Sequence, residues 1–215
     1  MIISRGRRYI FVHIPKTGGT ALSLALESRA LADDILIGDT PKARARRARL
    51  KGLKTAGRLW KHATLADAVG LFTPAEAQAF FTFTLVRNPW DRMVSYYHWL
   101  RAQSFAHPQV ALAKSTSFSG FLNAPATLVT IGNAPYASYM TLPGLGECCR
   151  AYLRLEHLAE DAAPLEAHLG FALPPVPRLN ASDRSADWRK YYSEADAALV
   201  GKLCAADIAR FGYGF

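Results

Sequence analysis

Two short runs of β-branched and aromatic residues, Arg8 to Ile14 and Phe80 to Val86, each end at a polar junction containing a proline and then enter a helix-forming stretch. Short runs dominated by β-branched and aromatic residues and stopped by turn signals read as buried strands, which suits a parallel sheet. A chain that returns to pair in parallel needs a crossover, usually a helix. A third run, Tyr152 to Glu156, is followed by a helical pattern near 158–169. Strands alternating with helices predict an α/β fold, a three-layer sandwich with a mainly parallel central sheet.

The remaining punctuation is consistent with this. A helix is expected from Ala21 to Glu27, another over 89–103 behind Asn88-Pro89, and a last one from Ser193 to Arg210. Thr73-Pro-Ala-Glu76 carries a cap, a first-turn proline and a reciprocal acid, and predicts a helix start. Thr64-Leu-Ala-Asp67 resembles a second start. Residues 104–146 are rich in Gly, Pro, Ser and Ala and predict short helices and loops, while Leu173 to Leu179, with its prolines, reads as extended.

The 215 residues suit one domain, 1–215, with a basic insertion-like segment at 40–61. No apolar run approaches the roughly 20 residues of a membrane span. The basic N-terminus (Arg5, Arg7, Arg8) precedes an apolar stretch too short for a signal peptide, so a cytoplasmic location is expected, with peripheral membrane contact left open. Cys148, Cys149 and Cys204 form neither a disulfide framework nor zinc spacing and are expected as free thiols. Nine basic residues and no acid lie between Lys42 and Lys61, and they account for the whole net charge of +9. The basicity is one local feature, suited to an anionic partner. The segment is expected to be helical, contacting an anionic acceptor or covering a cofactor as a flap.

Pro15-Lys16-Thr17-Gly18-Gly19-Thr20 joins the first strand to its helix. Glycines admit an anion close to the backbone, and a helix start offers unpaired N–H groups. Lys16 adds a point charge, and Thr17 and Thr20 add hydroxyl donors. This is a P-loop-like phosphate-binding loop but not a Walker A motif, in which the lysine follows the glycines. At the second strand, Arg87 closes the run and Ser95 falls in the second turn of the next helix, from where a guanidinium and a hydroxyl can hold one phosphate.

Together the two motifs, Pro15 to Thr20 and Arg87-Asn-Pro-Trp-Asp-Arg-Met-Val-Ser95, resemble those of the sulfotransferases that use 3′-phosphoadenosine-5′-phosphosulfate (PAPS), particularly the carbohydrate group of the heparan sulfate 2-O-sulfotransferase type. Weaker likeness extends through Leu155 to Asp161, Asn180-Ala-Ser182, Trp188 to Tyr192 and Asp207 to Tyr213. The resemblance implies that Lys16, Thr17, Gly18, Gly19 and Thr20 grip the 5′-phosphosulfate, and that Arg87 and Ser95 grip the 3′-phosphate. Arg184, with Lys190 behind it, matches a basic residue of a C-terminal loop near that phosphate. The implied reaction transfers the sulfuryl group in line to an acceptor hydroxyl, of a saccharide or glycoconjugate, without a metal. It leaves 3′-phosphoadenosine-5′-phosphate (PAP).

A general base must take the acceptor's proton. His62 lies between the two motifs, similar in position to the histidine base of that group, and is the candidate, with Lys16 assisting the leaving phosphate. Glu156 stands next. His13 and His98 are expected to pack structurally, as are Trp90 and Tyr139, although either aromatic could stack on adenine. Two rivals differ in class. One is a nucleotide-dependent kinase, for which no Walker B acid is evident. The other is a nucleic-acid binder using 42–61, where Trp60 alone could stack on a base.

Overall fold

The computed structural model describes residues 1–174 and 184–215. The expectations for Asn180-Ala-Ser182 and for most of the extended 173–179 stretch lie outside the described residues. In chain order the elements are β1 (Ile2–Ser4), β2 (Tyr9–Val12), α1 (Gly19–Glu27), β3 (Ile35–Leu36), α2 (Pro41–Ala45), α3 (Pro74–Ala79), β4 (Phe81–Val86), α4 (Pro89–Arg101), α5 (Pro108–Ser115), α6 (Phe118–Asn123), α7 (Pro125–Gly132), β5 (Thr141–Leu142), β6 (Gly146–Glu147), β7 (Ala151–Arg154), α8 (Leu158–Asp161), α9 (Ala163–Leu169), α10 (Glu194–Leu203) and α11 (Ala205–Phe211). They form two compact units: Met1–Val86 with Tyr136–Leu179, and Arg87–Pro135 with Asn180–Phe215.

The first unit holds a sheet of order β3-β1-β2-β4-β7. β2 pairs in parallel with β4, and β4 with β7. β1 runs against both of its neighbours. Four of the five strands thus share one direction, in keeping with a mainly parallel α/β sheet. The three anticipated strands are the parallel neighbours. β1 and β3 have three and two residues, too few to show a period.

Alternation along the strands divides the core. Tyr9, Phe11, Phe83 and Leu85 face Leu22 and Leu26 of α1 and Leu165 and Leu169 of α9. Phe11 and Phe83 are fully buried with ring centres 5.2 Å apart, a burial worth about 2–3 kcal/mol each. Ile3, Ile10 and Val12 face the other way, onto Leu65, Leu71, Phe72 and Phe80. This second cover is largely irregular chain. Thr64 and Asp67 do exchange bonds, Thr64 N–H to Asp67 Oδ2 at 2.8 Å and Asp67 N–H to Thr64 Oγ1 at 3.1 Å. No helix follows, which corrects that expectation: the next bonds, such as Ala68 N–H to the Leu65 carbonyl, close four-residue turns. Thr73 and Glu76 do form the capping box that starts α3.

The 42–61 segment is also not one helix. Only α2 and a 3-10 turn at Arg47–Leu50 are helical. Cations four apart, such as Lys42 and Arg46, repel on a helix, and Gly52 adopts φ +78°. The helix expected near 158–169 is split into α8 and α9, with Pro164 in the first turn of α9. The last one is split at Cys204.

The second unit packs α4 to α7 with α10 and α11 around Trp90, Val94, Tyr97, Phe118, Phe121 and Val200. Asn88 caps α4 by accepting from Trp90 N–H at 3.1 Å, with Pro89 first in the helix. Among the described residues no helix is long and apolar enough to cross a membrane. All three cysteines are free.

Candidate active site

The loop after β2 is shaped by two left-handed residues, Lys16 at φ +65° and Gly18 at φ +88°. For lysine this conformation is strained, and strain of this kind collects where function over-determines the backbone. Gly18 caps α1 without a side-chain bond, and no acid lies in the helix's first turn. The positive end of α1 is therefore left for an anion. Gly18 is required by its left-handed backbone and Gly19 by lack of space. A Cβ on Gly18 would stand 2.8 Å from Leu155 Cδ1, and one on Gly19 would stand 2.1 Å from His13 Cδ2. Thr17 departs from the sequence reading: its hydroxyl is buried and donates to the Ile14 carbonyl at 2.9 Å. Thr17 is left with its backbone amide to offer an anion, while Thr20 is half-buried in the first turn of α1.

His13 is buried and stacks on Phe11, its ring centre 6.1 Å away. Its carbonyl lies 2.9 Å from His62 Nδ1. A carbonyl can only accept, so Nδ1 carries the proton and Nε2 keeps a lone pair. The His62 ring meets the His13 ring edge-on at 4.6 Å and the Trp60 ring at 5.1 Å. Burial lowers the His62 pKa to about 4, and burial with the neighbouring His62 lowers that of His13 well below the usual range. Both imidazoles are neutral at physiological pH. One chain of contacts thus runs from the phosphate loop through His13 to His62.

In the second unit, Asp91 stands one turn along α4 from Arg87. Its Oδ2 accepts from Arg87 Nε at 2.9 Å and Nη2 at 2.6 Å. Its Oδ1 accepts from Arg184 Nη2 at 2.7 Å. All three side chains are at most 16% exposed, so the pairs are poorly screened by water. Arg184 Nη1 is buried and meets no acceptor among the described residues. The Arg184 backbone is anchored by Ser185 N–H bonding Tyr191 Oη at 3.0 Å, and Tyr192 Oη donates to the Trp90 carbonyl at 2.8 Å. Ser95 sits half-buried in the second turn of α4, as expected. Asp91 was missed, although an acid four residues after Arg87 is a readable helical pair.

Other candidates fall elsewhere. Trp90 is core and donates its indole N–H to the Ala197 carbonyl at 2.9 Å. Tyr139 packs on the core of the first unit, and His98 lies edge-on to Tyr191. Glu156 is exposed on a 3-10 turn after β7, and Lys190 is exposed on another. Asp161 folds back to bind Arg154 through both oxygens at 2.8 Å, a structural role for the end of the 155–161 segment.

Five of the nine cations of 42–61 are tied down. Lys42 donates to the Glu27 carbonyl, Arg46 to that of Leu31 and Arg49 to that of Ala32, while Arg47 and Lys61 pair with Asp39. Arg44, Lys51, Lys54 and Arg58 stay exposed without an ion-pair partner among the described residues. Trp60, in the same stretch of sequence, is 46% exposed. Among the described residues no cluster of three His, Cys, Asp or Glu could hold a metal ion.

A mainly parallel sheet with helices, and a glycine loop joining β2 to α1, defines an α/β protein with a P-loop-like segment. The model of the sulfotransferase family matches residues 1–213, and the chain belongs to that family. Among solved structures, mouse sulfotransferase SULT7A1 complexed with PAP is similar in fold, with a TM-score of 0.51 and 15% identity over 93% of this chain and 82% of that one. No curated protein matches the sequence.

Proposed function

We propose that the chain transfers the sulfuryl group of PAPS to a hydroxyl of a saccharide acceptor, with His62 as general base. The acceptor oxygen gives its proton to His62 Nε2 and forms the new O–S bond. The S–O bond to the 5′-phosphate breaks, and its electron pair stays on the phosphate oxygen. Lys16 and the amides of the 17–20 loop neutralise the charge growing there. Arg87, Ser95 and Arg184 bind the 3′-phosphate. The observation that carries this reading is the bond from His62 Nδ1–H to the His13 carbonyl, which fixes the tautomer a base needs. The half-exposed Trp60 beside His62 supports a saccharide: an indole face packs on the C–H face of a sugar ring.

Calorimetric titration with PAP tests the nucleotide half. Micromolar binding is expected for the wild type, and a loss of tenfold or more for Arg87→Ala. Absence of binding by the wild type would overturn the reading and favour ATP or nucleic acid as ligands. His62→Gln is expected to keep PAP affinity within about twofold while turnover falls by roughly 10²–10⁴. Unchanged turnover would remove His62 from the role.

A further inference from the structure

The clamp in the second unit contains an acid where an anion is to bind, which calls for an explanation. Asp91 neutralises one of two facing guanidinium charges and leaves the group a net cation. It holds Arg87 by the Nε–Nη2 edge and Arg184 by one Nη2 hydrogen. Each arginine thereby keeps a fixed plane. Arg184 Nη1 is left buried with no acceptor among the described residues, and orphaned buried donors are rare and costly in proteins. A donor held in this way has a ready partner in a phosphate oxygen. Lysine in place of either arginine would lack the planar fork.

We infer that Asp91 is the positioning residue for recognition of the nucleotide's 3′-phosphate: it locks Arg87 and Arg184 into one preformed clamp, so that selectivity for a 3′-phosphorylated nucleotide depends on a carboxylate that never touches it. The inference rests on the functional reading above. It differs from the two obvious roles for an acid here. A purely structural staple would affect the fold and every ligand alike. A competing anion would weaken binding, and its removal would strengthen it.

The experiment compares the dissociation constants of PAP and of adenosine 5′-monophosphate, which lacks the 3′-phosphate, for the wild type, Asp91→Asn, Asp91→Glu and Arg184→Gln, with thermal unfolding alongside. The wild type should prefer PAP by tenfold or more. Asp91→Asn should cut that preference about tenfold through PAP alone, leaving the monophosphate within twofold, and Asp91→Glu should recover part of it. Arg184→Gln should show the same PAP-specific loss, which keeps the inference testable where Asp91→Asn does not fold. A preference unchanged in Asp91→Asn, or in Arg184→Gln, overturns the inference, as does tighter PAP binding by Asp91→Asn. Failure of the wild type to bind PAP overturns the functional reading itself.

Discussion

The shortest non-bonded constraint in the phosphate loop is the His13 ring against Gly19. Gly19→Ala would place a methyl 2.1 Å from His13 Cδ2, so the ring must shift, and its carbonyl is the partner of His62. This one methyl is expected to lower both PAP affinity and turnover by tenfold or more, with thermal stability reduced as for an overpacked core. A variant with wild-type turnover would show that loop and base are uncoupled. The pH profile gives a second check. Because burial lowers the His62 pKa to about 4, the free protein holds this imidazole deprotonated well below neutrality. The acid limb of kcat/KM is expected near that value. The limb of kcat should lie higher, since a bound polyanion favours the imidazolium. At this scale the sequence placed the strand-end positions of Lys16, Gly18, Gly19 and Arg87, while the contact between His62 and the His13 carbonyl left no trace in it. Thr17 was misjudged because a hydroxyl's partner depends on the local path of the chain, which turns its Oγ1 to the Ile14 carbonyl.

Among the elements, the capping box of α3 and the aromatic anchor of α4 make separate predictions. Thr73→Ala removes the acceptor for Glu76 N–H and is expected to cost about 1 kcal/mol in urea denaturation, with PAP binding intact. Tyr192→Phe removes the bond to the Trp90 carbonyl and should cost about 1–2 kcal/mol. Tyr191 holds Ser185, next to Arg184, so Tyr191→Phe should weaken PAP binding severalfold with little change in thermal stability. The caps were readable because Thr73, Asn88 and Ser193 are short-range signals. The break at Ala162 had a readable signal in Pro164, two residues on, whereas the break at Cys204 was not readable, because helix formers occupy both sides of it. Nor was the irregular cover at 59–72, whose path is set by burial of Leu65, Leu71 and Phe72 rather than by a period.

For the whole molecule, charge and pH act together. His13 and His62 have depressed pKa values when folded, while in the unfolded chain they take protons near 6.5. The unfolded state thus binds more protons over this range. Stability is full above about pH 6.5 and falls as pH drops toward 4. Urea midpoints at pH 7.5 and 5 should show a decline for the wild type that is smaller for His62→Gln. Trp60→Ala, by contrast, should raise KM for a saccharide acceptor severalfold and leave PAP binding unchanged. The fold class was legible because two strand–loop–helix repeats imply a parallel sheet. The partition of the chain was not, because sheet neighbours far apart in sequence leave no local trace.

That partition bears on how the molecule is made. β4 pairs with β7, yet everything from α4 to β6 is synthesised between them. On the ribosome, β4 emerges with one edge lacking its partner and must wait while a stretch belonging to the other unit is translated. An unpaired edge of Phe81, Phe83 and Leu85 is a template for pairing with another chain. Expression yield should accordingly depend on chaperones that shield this edge during translation, more than on the equilibrium stability of the finished protein.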